Sequence, residues 1–194
     1  MKRLITLAFL LFGVLGISQA GDTDQPGLAA PHFTADGKLL RPQDYREWIY
    51  LSSGLGMSYA DAAGDAFTNV FVKPEAYREF LKIGAWPDKT IFILEERSSS
   101  SKGSINQKGH FQDQLAGLAA EVKDEKRFPE KWAFFSFGGM DEGKLNDSSE
   151  KIPQTMCWSC HHKHGTVDNT FVQFYPTLKP VAISKGTYHE DVQK

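Results

Sequence analysis

Short hydrophobic runs separated by polar segments dominate the middle of the chain and predict a sheet. Runs that are aromatic, β-branched or alternating lie at 48–51, 67–72, 90–95, 116–122 and 132–137. One segment instead repeats its apolar residues with helical spacing, because Tyr77, Phe80 and Leu81 stand at i, i+3 and i+4. This helix is predicted to begin at Pro74 and to end at Gly84, with those three side chains buried.

Polar and Gly/Pro-rich segments mark the expected connections. Residues 21–31 are expected to be a loose tail, 42–47 a short helical turn, and 97–109 a loop or mobile hairpin. Residues 148–164 are predicted to carry a helix. A last helix or turn, ending at Pro180, is expected to pack beside it through Phe171, Phe174, Tyr175 and Leu178. Strands therefore predominate, and the predicted fold class is α+β, a mainly antiparallel β-sheet domain with a few helices.

The first twenty residues have the pattern of a secretory signal peptide. Lys2 and Arg3 form a basic start, residues 4–17 are apolar, and Ser18-Gln19-Ala20 offers small residues at the cleavage site. We expect cleavage after Ala20, leaving residues 21–194 as one domain. The apolar run is too short to span a bilayer, and the absence of a cysteine at the cleavage site argues against a lipid anchor. A periplasmic protein without a membrane anchor is the prediction.

Composition and charge narrow the classes of partner. The chain has 194 residues, of which 41% are apolar and 12% aromatic, as in a globular protein. Removing Lys2 and Arg3 moves the formal net charge from −2 to −4, and no basic stripe stands out along the sequence. Nucleic acid is therefore not an expected partner.

The only two cysteines form the motif Cys157-Trp158-Ser159-Cys160-His161. C-x-x-C-H is the attachment signature of c-type haem, in which two thiols on one helical turn add to the vinyl groups and the adjacent imidazole binds the iron. One such motif predicts one covalent haem c, with His161 as the proximal ligand. The alternative is a thioredoxin-like dithiol, which the missing βαβ context upstream disfavours.

Other histidines and methionines are weaker candidates for iron ligation. His162 and His164 are expected to face solvent or bond to backbone, with contact to a haem propionate as the alternative. A protein ligand at the sixth position would have to come from Met140, Met156, His110 or His189. Met156 is too near Cys157 to reach the far face, so Met140, in a Gly/Asp-rich loop, is the better candidate.

Several short segments give the chain a resemblance to the cytochrome P-460 family, which includes the beta-type cytochromes c-prime. They are, in order, Tyr45-Arg46-Glu47-Trp48, Lys73-Pro74, Tyr77, Lys82, Gly84, Trp86, Asp88, Val122-Lys123-Asp124, Lys126-Arg127-Phe128, Trp132-Ala133-Phe134, the haem motif and Phe174-Tyr175-Pro176. Their common order covers nearly the whole mature chain. The resemblance implies a mainly β homodimer with a five-coordinate c-type haem and an open distal side.

The chain departs from the family at two positions that matter for chemistry. The resemblance implies that, in members oxidising hydroxylamine, a lysine crosslinked to the porphyrin stands where this chain has Leu94, and a pocket arginine where it has Thr68. Leucine has no nucleophilic nitrogen, so the crosslink is not expected. If Leu94 and Thr68 face the haem, strand alternation places Phe92 and Val70 there too, which predicts an apolar distal pocket. The alternative is that Phe92 and Val70 are ordinary core.

The sequence is compatible with three functions. A vacant site on ferrous haem predicts binding of nitric oxide or a related small nitrogen-oxide ligand. The alternative is an oxidoreductase that oxidises hydroxylamine and passes electrons to a partner cytochrome. Simple electron transfer would require a sixth protein ligand. Lys82 and Lys89 are expected to be surface residues, and the charged run Glu95-Glu96-Arg97 is either a source of a proton-transfer group or a solvated strand edge.

Overall fold

A computed structural model describes residues 29–57, 65–139 and 143–193, so the predicted signal peptide and Met140 lie outside it. Its centre is a five-stranded antiparallel sheet with the order β2-β3-β4-β5-β6. The strands are β2 (Ile49–Leu55), β3 (Ala66–Val72), β4 (Ile91–Ser100), β5 (Phe111–Lys123) and β6 (Trp132–Ser136). A two-stranded sheet pairs β1 (Leu39–Leu40) with β7 (Ser148–Ser149). The predicted α+β class is confirmed.

The segment 97–109, expected to be a loop or mobile hairpin, begins as strand. Strand β4 runs to Ser100, where Arg97 pairs with Leu115 and Ser99 with Gln112 across a bulged register. Polar side chains do not prevent this pairing, because a ladder is formed by backbone groups. The hairpin alternative for this segment therefore agrees with the antiparallel pairing of β4 and β5, whereas a continuous loop does not.

The two faces of the sheet are covered differently. On one face, which we call the helical face, helices pack over a core containing Phe80, Trp86, Phe92, Trp132 and Tyr175. The opposite face buries Tyr45, Trp48, Phe71, Ile93 and Phe135, among others. Because strand side chains alternate, each strand contributes to both cores, and its register decides which residues meet the helices.

Helix α1 (Pro74–Ile83) connects β3 to β4. Pro74 opens it, and Gly84 ends it in the left-handed conformation (φ 73°), with its N–H donating to the carbonyl of Phe80 at 2.7 Å. Phe80 is fully buried and Tyr77 half-buried, but Leu81 is 41% exposed, so the predicted stripe was wrong at its last position. The helix turns about 100° per residue, which carries Leu81 past the packed face.

The C-terminal part holds two further helices, α2 (Gln154–His164) and α3 (Lys179–Lys185). Pro180 lies in the first turn of α3 and does not end a helix, because a proline there loses no hydrogen bond. Tyr175 and Leu178 are buried as expected, whereas Phe174 is exposed. Within the described ranges, each helix is too short or too polar to cross a membrane.

Candidate functional site

Helix α2 presents Cys157, Cys160 and His161 toward the helical face. Both cysteines are half-buried and unpaired, and their three-residue spacing places them on one side of the helix. Burial, with the nearby Glu121 carboxylate, raises the pKa of the Cys157 thiol, so the group is a neutral thiol. No side chain of α2 is fully buried, although Trp158 packs against the core of the helical face.

His161 is held in a slot between two aromatic rings. The ring centroids of Phe134 and Phe171 lie 4.5 and 4.4 Å from its own. Its Nδ1 lies 3.1 Å from the carbonyl oxygen of Asn169, and Nε2 is therefore the nitrogen that remains for a metal. Burial lowers the pKa of His161, but the carboxylate of Glu121 outweighs this effect and the pKa stands above its ordinary value.

The turn that follows α2 fixes the acceptor for His161. Asp168 and Asn169 both have positive φ, 49° and 63°. A Cβ on Gly165 would lie 2.4 Å from the carbonyl carbon of Asn169, so only glycine permits this close return of the chain. The side-chain oxygen of Asn169 also lies 3.2 Å from Nδ1 of His162. Sequence reasoning missed Asn169; an Asp-Asn pair, which tolerates the left-handed conformation, was the available signal.

The predicted strand parity agrees with the observed register. Val70 pairs with Leu94, and Val72 with Phe92. Phe92 and Val70 pack with the helical-face core, so Leu94 and Thr68, each two residues away, lie on the same face. The row of partners through Leu94 continues to Ala119 and Ser136 on one side and Ser52 on the other. This row is uncharged and consists mostly of small side chains.

The next row along the strands contains a carboxylate. Thr68 pairs with Glu96, and Glu96 with Gly117. A Cβ on Gly117 would lie 2.8 Å from Oε2 of Glu96, which shows that the Glu96 side chain folds over this glycine. The face around Thr68 and Leu94 is therefore less apolar than expected.

Phe92 is buried in the core, more deeply than a residue that only lines a pocket. It is 3% exposed, and its ring lies 4.7 Å from that of Trp86, 6.0 Å from Trp132 and 6.4 Å from Tyr175. These contacts make it a central residue of the helical-face core. Contact between Phe92 and a haem stays a prediction.

Glu95 is a structural residue of the opposite face. Its fully buried carboxylate accepts hydrogen bonds from Tyr45 at 2.7 Å, from Arg46 at 2.5 Å, from Arg97 at 2.8 Å and from Asn69 at 3.1 Å. Burial alone would raise the pKa of Glu95, but these donors lower it to about 2, while burial and the bond to Glu95 raise the pKa of Tyr45 to about 12. Glu95, the first residue of the run 95–97, is thus buried and not solvated.

The remaining candidates have other described contacts. Lys82 is paired with Glu79 at 2.8 Å, and Lys89 with Asp124. Nδ1 of His110 lies 3.0 Å from the Ser99 hydroxyl, the backbone N–H of His189 donates to Thr166, and Met156 is 69% exposed. Ligation of iron by any of them stays untested.

A comparison with protein families decides the broader identity. The family model described as Cytochrome P460 matches residues 42–172, from the turn before β2 to just beyond α2. The chain belongs to the cytochrome P460 family. Membership in the P460 family confirms the resemblance drawn from the sequence, and it implies a haem protein of the c type. A comparison with curated proteins found no match.

The donor set fits the haem that P460 membership implies. Two unpaired thiols on one side of α2, an imidazole with Nε2 remaining, and aromatic side chains on both sides of that imidazole are what attachment and ligation need. The uncharged row through Leu94 and Ala119 lies on the same face of the sheet. Cys157, Cys160 and His161 are the residues that would hold the group.

Proposed function

We propose that the protein is a periplasmic c-type haem protein that binds nitric oxide at a site opposite His161. The observation that carries this proposal is the row of Leu94, Val70 and Ala119 on the helical face. Leu94 stands where the family resemblance implies a crosslinking lysine in hydroxylamine-oxidising members. The residues paired with it provide neither a nucleophile nor a charge.

The chain's own residues account for attachment and for ligand choice. Each thiol of Cys157 and Cys160 would add across one vinyl double bond of the haem, forming a sulfur–carbon bond while the thiol hydrogen passes to the neighbouring carbon, without net oxidation. His161 would ligate the iron through Nε2, because Nδ1 faces the carbonyl oxygen of Asn169. The haem supplies a ferrous iron with affinity for neutral diatomics. The side chains of Leu94 and Val70 would exclude water from the ligand site, and neither can donate a hydrogen bond to an anion.

Location and assembly follow from the same proposal. Residues 1–20 would direct export to the periplasm, where two thioether bonds prevent loss of the cofactor. A single haem per chain and a homodimer are expected. A redox-partner cytochrome would be needed only if the protein turns over a substrate.

A second candidate is oxidation of hydroxylamine, and Glu96 favours it. Its carboxylate lies on the helical face beside Thr68 and over Gly117, where it would accept a proton released from a bound substrate. The electrons would leave to an external cytochrome. Simple electron transfer stays the third alternative, and its best sixth ligand, Met140, lies outside the described residues.

Optical spectroscopy of the purified haem-loaded protein, combined with ligand-binding and turnover assays, distinguishes the three candidate functions. The proposal predicts a five-coordinate ferrous spectrum, tight binding of nitric oxide, and no reduction of an added cytochrome when hydroxylamine is supplied. Glu96→Gln should leave nitric oxide binding unchanged. Turnover of hydroxylamine that is lost in Glu96→Gln would establish the second candidate instead, and a six-coordinate ferrous spectrum would establish the third.

A further inference from the structure

Glu121 is a carboxylate whose position needs an explanation. It lies on β5 and faces the helical side, because its neighbours Ala120 and Val122 belong to the opposite core. Its side chain is 13% exposed, and its Oε1 atom is buried without a hydrogen-bond partner among the described residues. An unsatisfied buried carboxylate oxygen is costly, so such an atom marks either strain or a missing interaction.

The imidazole of His161 approaches that oxygen. Oε1 of Glu121 lies 3.3 Å from Nδ1 of His161, close enough for an ion pair but not aligned as a hydrogen bond. The carbonyl of Asn169 competes for the same nitrogen from 3.1 Å. Nδ1 carries one hydrogen, so two acceptors, one of them anionic, compete for a single donor.

The register of the sheet keeps Glu121 at this place. Its strand partners are Phe92 on β4 and Phe134 on β6. Phe134 forms one side of the slot that holds the imidazole, so the carboxylate and the ring are positioned by neighbouring strands. A small rotation of the ring within this slot would exchange Asn169 for Glu121 as acceptor.

A second residue of β5 fixes the competing acceptor. Lys123, two residues after Glu121 and on the same face, is 7% exposed; its ammonium pairs with Asp168 and donates to the carbonyl of Trp86 at 2.7 Å. The indole N–H of Trp86 donates to Thr170 at 2.8 Å. The turn that carries Asn169 is therefore held on both sides of that residue, by Lys123 of β5 at Asp168 and by Trp86 of the segment before β4 at Thr170.

We propose that Glu121 is a positioning residue for the proximal histidine: its carboxylate accepts the Nδ1 hydrogen of His161 when Nε2 is bound to iron. An anionic acceptor makes the imidazole more electron-rich, which stabilises ferric over ferrous iron and strengthens the iron–histidine bond. The inference rests on the proposed ligation by His161, and it adds a residue that sets the reduction potential and the proximal bond.

The test compares haem-loaded Glu121→Gln with the wild type and with Glu96→Gln, which removes the other glutamate of the helical face. The readouts are the midpoint reduction potential and the iron–histidine stretching frequency of the ferrous protein, measured by resonance Raman spectroscopy. Glu121→Gln should raise the potential and lower the frequency, whereas Glu96→Gln should leave the frequency unchanged. Glu121→Asp, which keeps the charge, should give an intermediate frequency. This variant replaces Glu121→Gln in the comparison if the amide variant fails to fold.

Two results would overturn the inference. One is a haem-loaded Glu121→Gln protein with wild-type potential and wild-type frequency; the other is an equal frequency shift in Glu96→Gln. Failure of the proposed function is distinguishable from both. If the two shifts appear as expected but nitric oxide does not bind, only the ligand proposal fails, whereas a protein that attaches no haem overturns both.

Discussion

Leu94 and Glu95 are neighbours on β4 and lie on opposite faces of the sheet. Leu94 pairs with Val70 and Ala119 on the helical face, whereas the Glu95 carboxylate is fully buried on the other face. The donors to Glu95 come from the turn before β2, from β3 and from β4 itself. The buried network thus fixes the strand segment that carries Leu94 on the helical face.

Glu95→Gln should destabilise the fold in a pH-dependent way. The pKa of Glu95 in the folded protein, about 2, lies below its ordinary value, so the ionised group stabilises the fold at neutral pH. This stabilisation is lost as the pH falls from the ordinary carboxyl range towards about 2. We expect the variant to lose about 3 kcal/mol of unfolding free energy at pH 7, because two arginines remain beside an uncharged amide.

Chemical denaturation at pH 7 and at low pH measures this difference, which should shrink on acidification. Glu79→Gln is the matched control, since it removes an exposed helix pair with Lys82 and should cost at most about 0.5 kcal/mol. Equal losses in the two variants, or a loss independent of pH, would contradict the assignment.

Replacing either cysteine of the motif should weaken or abolish covalent attachment. Cys157 and Cys160 are both unpaired, and each would form one thioether bond. After expression with haem-maturation machinery, the intact mass of the wild type should show one added haem, and Cys157→Ala or Cys160→Ala should show less retained haem after denaturation. A wild-type mass equal to that of the apoprotein with free thiols would refute the attachment.

Peptide mapping should find haem only on the peptide that contains Cys157 and Cys160. Leu94 provides no nitrogen for a crosslink, and Lys82 and Lys89 are in ion pairs with acidic residues. Lys123 lies on the helical face, but its ammonium is bound to Asp168. If a second peptide carrying one of these lysines remains attached to the haem, the position assigned to Leu94 is wrong and hydroxylamine oxidation becomes the leading function.

Local patterns predicted the elements of the fold but not the contacts of the site. Pro74 and Gly84 mark the start and the end of α1 as expected, because capping and backbone restriction act within a few residues. The meeting of Glu121 with His161 depends on how β5 pairs with β6 and on where α2 returns to the sheet, and no local signal encodes that. Sequence reasoning placed Phe171 beside α2 but missed Glu121, Phe134 and Asn169 for this reason.

Glu95 is a second residue whose surroundings could not be predicted from the local sequence. A run of charges at the end of a strand is usually solvated, and that was one of two interpretations left open. Glu95 is buried because Tyr45 and Arg46, which stand about fifty positions earlier in the chain, donate hydrogen bonds to its carboxylate. The family resemblance added Leu94 and Thr68 as candidate pocket positions, whereas the ion network around Glu95 depends on the packing of these side chains.

Leu94→Ala should speed the entry of carbon monoxide to the ferrous haem. Leu94 is half-buried beside Val70 and Ala119, so its truncation enlarges the space next to the proposed ligand site. The association rate after flash photolysis measures the effect, and at least a several-fold increase is expected. Phe92→Ala is the informative comparison, because Phe92 lies on the same face but packs among Trp86 and Trp132. Its truncation should cost about 3–5 kcal/mol of stability.

The two variants together decide whether the site near Leu94 is open. A faster rate in Leu94→Ala, with a mainly destabilising effect in Phe92→Ala, places the ligand path at Leu94 and leaves Phe92 in the core. Unchanged association rates in both variants would mean that the ligand approaches from elsewhere, and then neither residue lines the pocket. A wild-type ferrous spectrum that is six-coordinate would contradict the open site directly, since a protein ligand would have to leave before carbon monoxide binds.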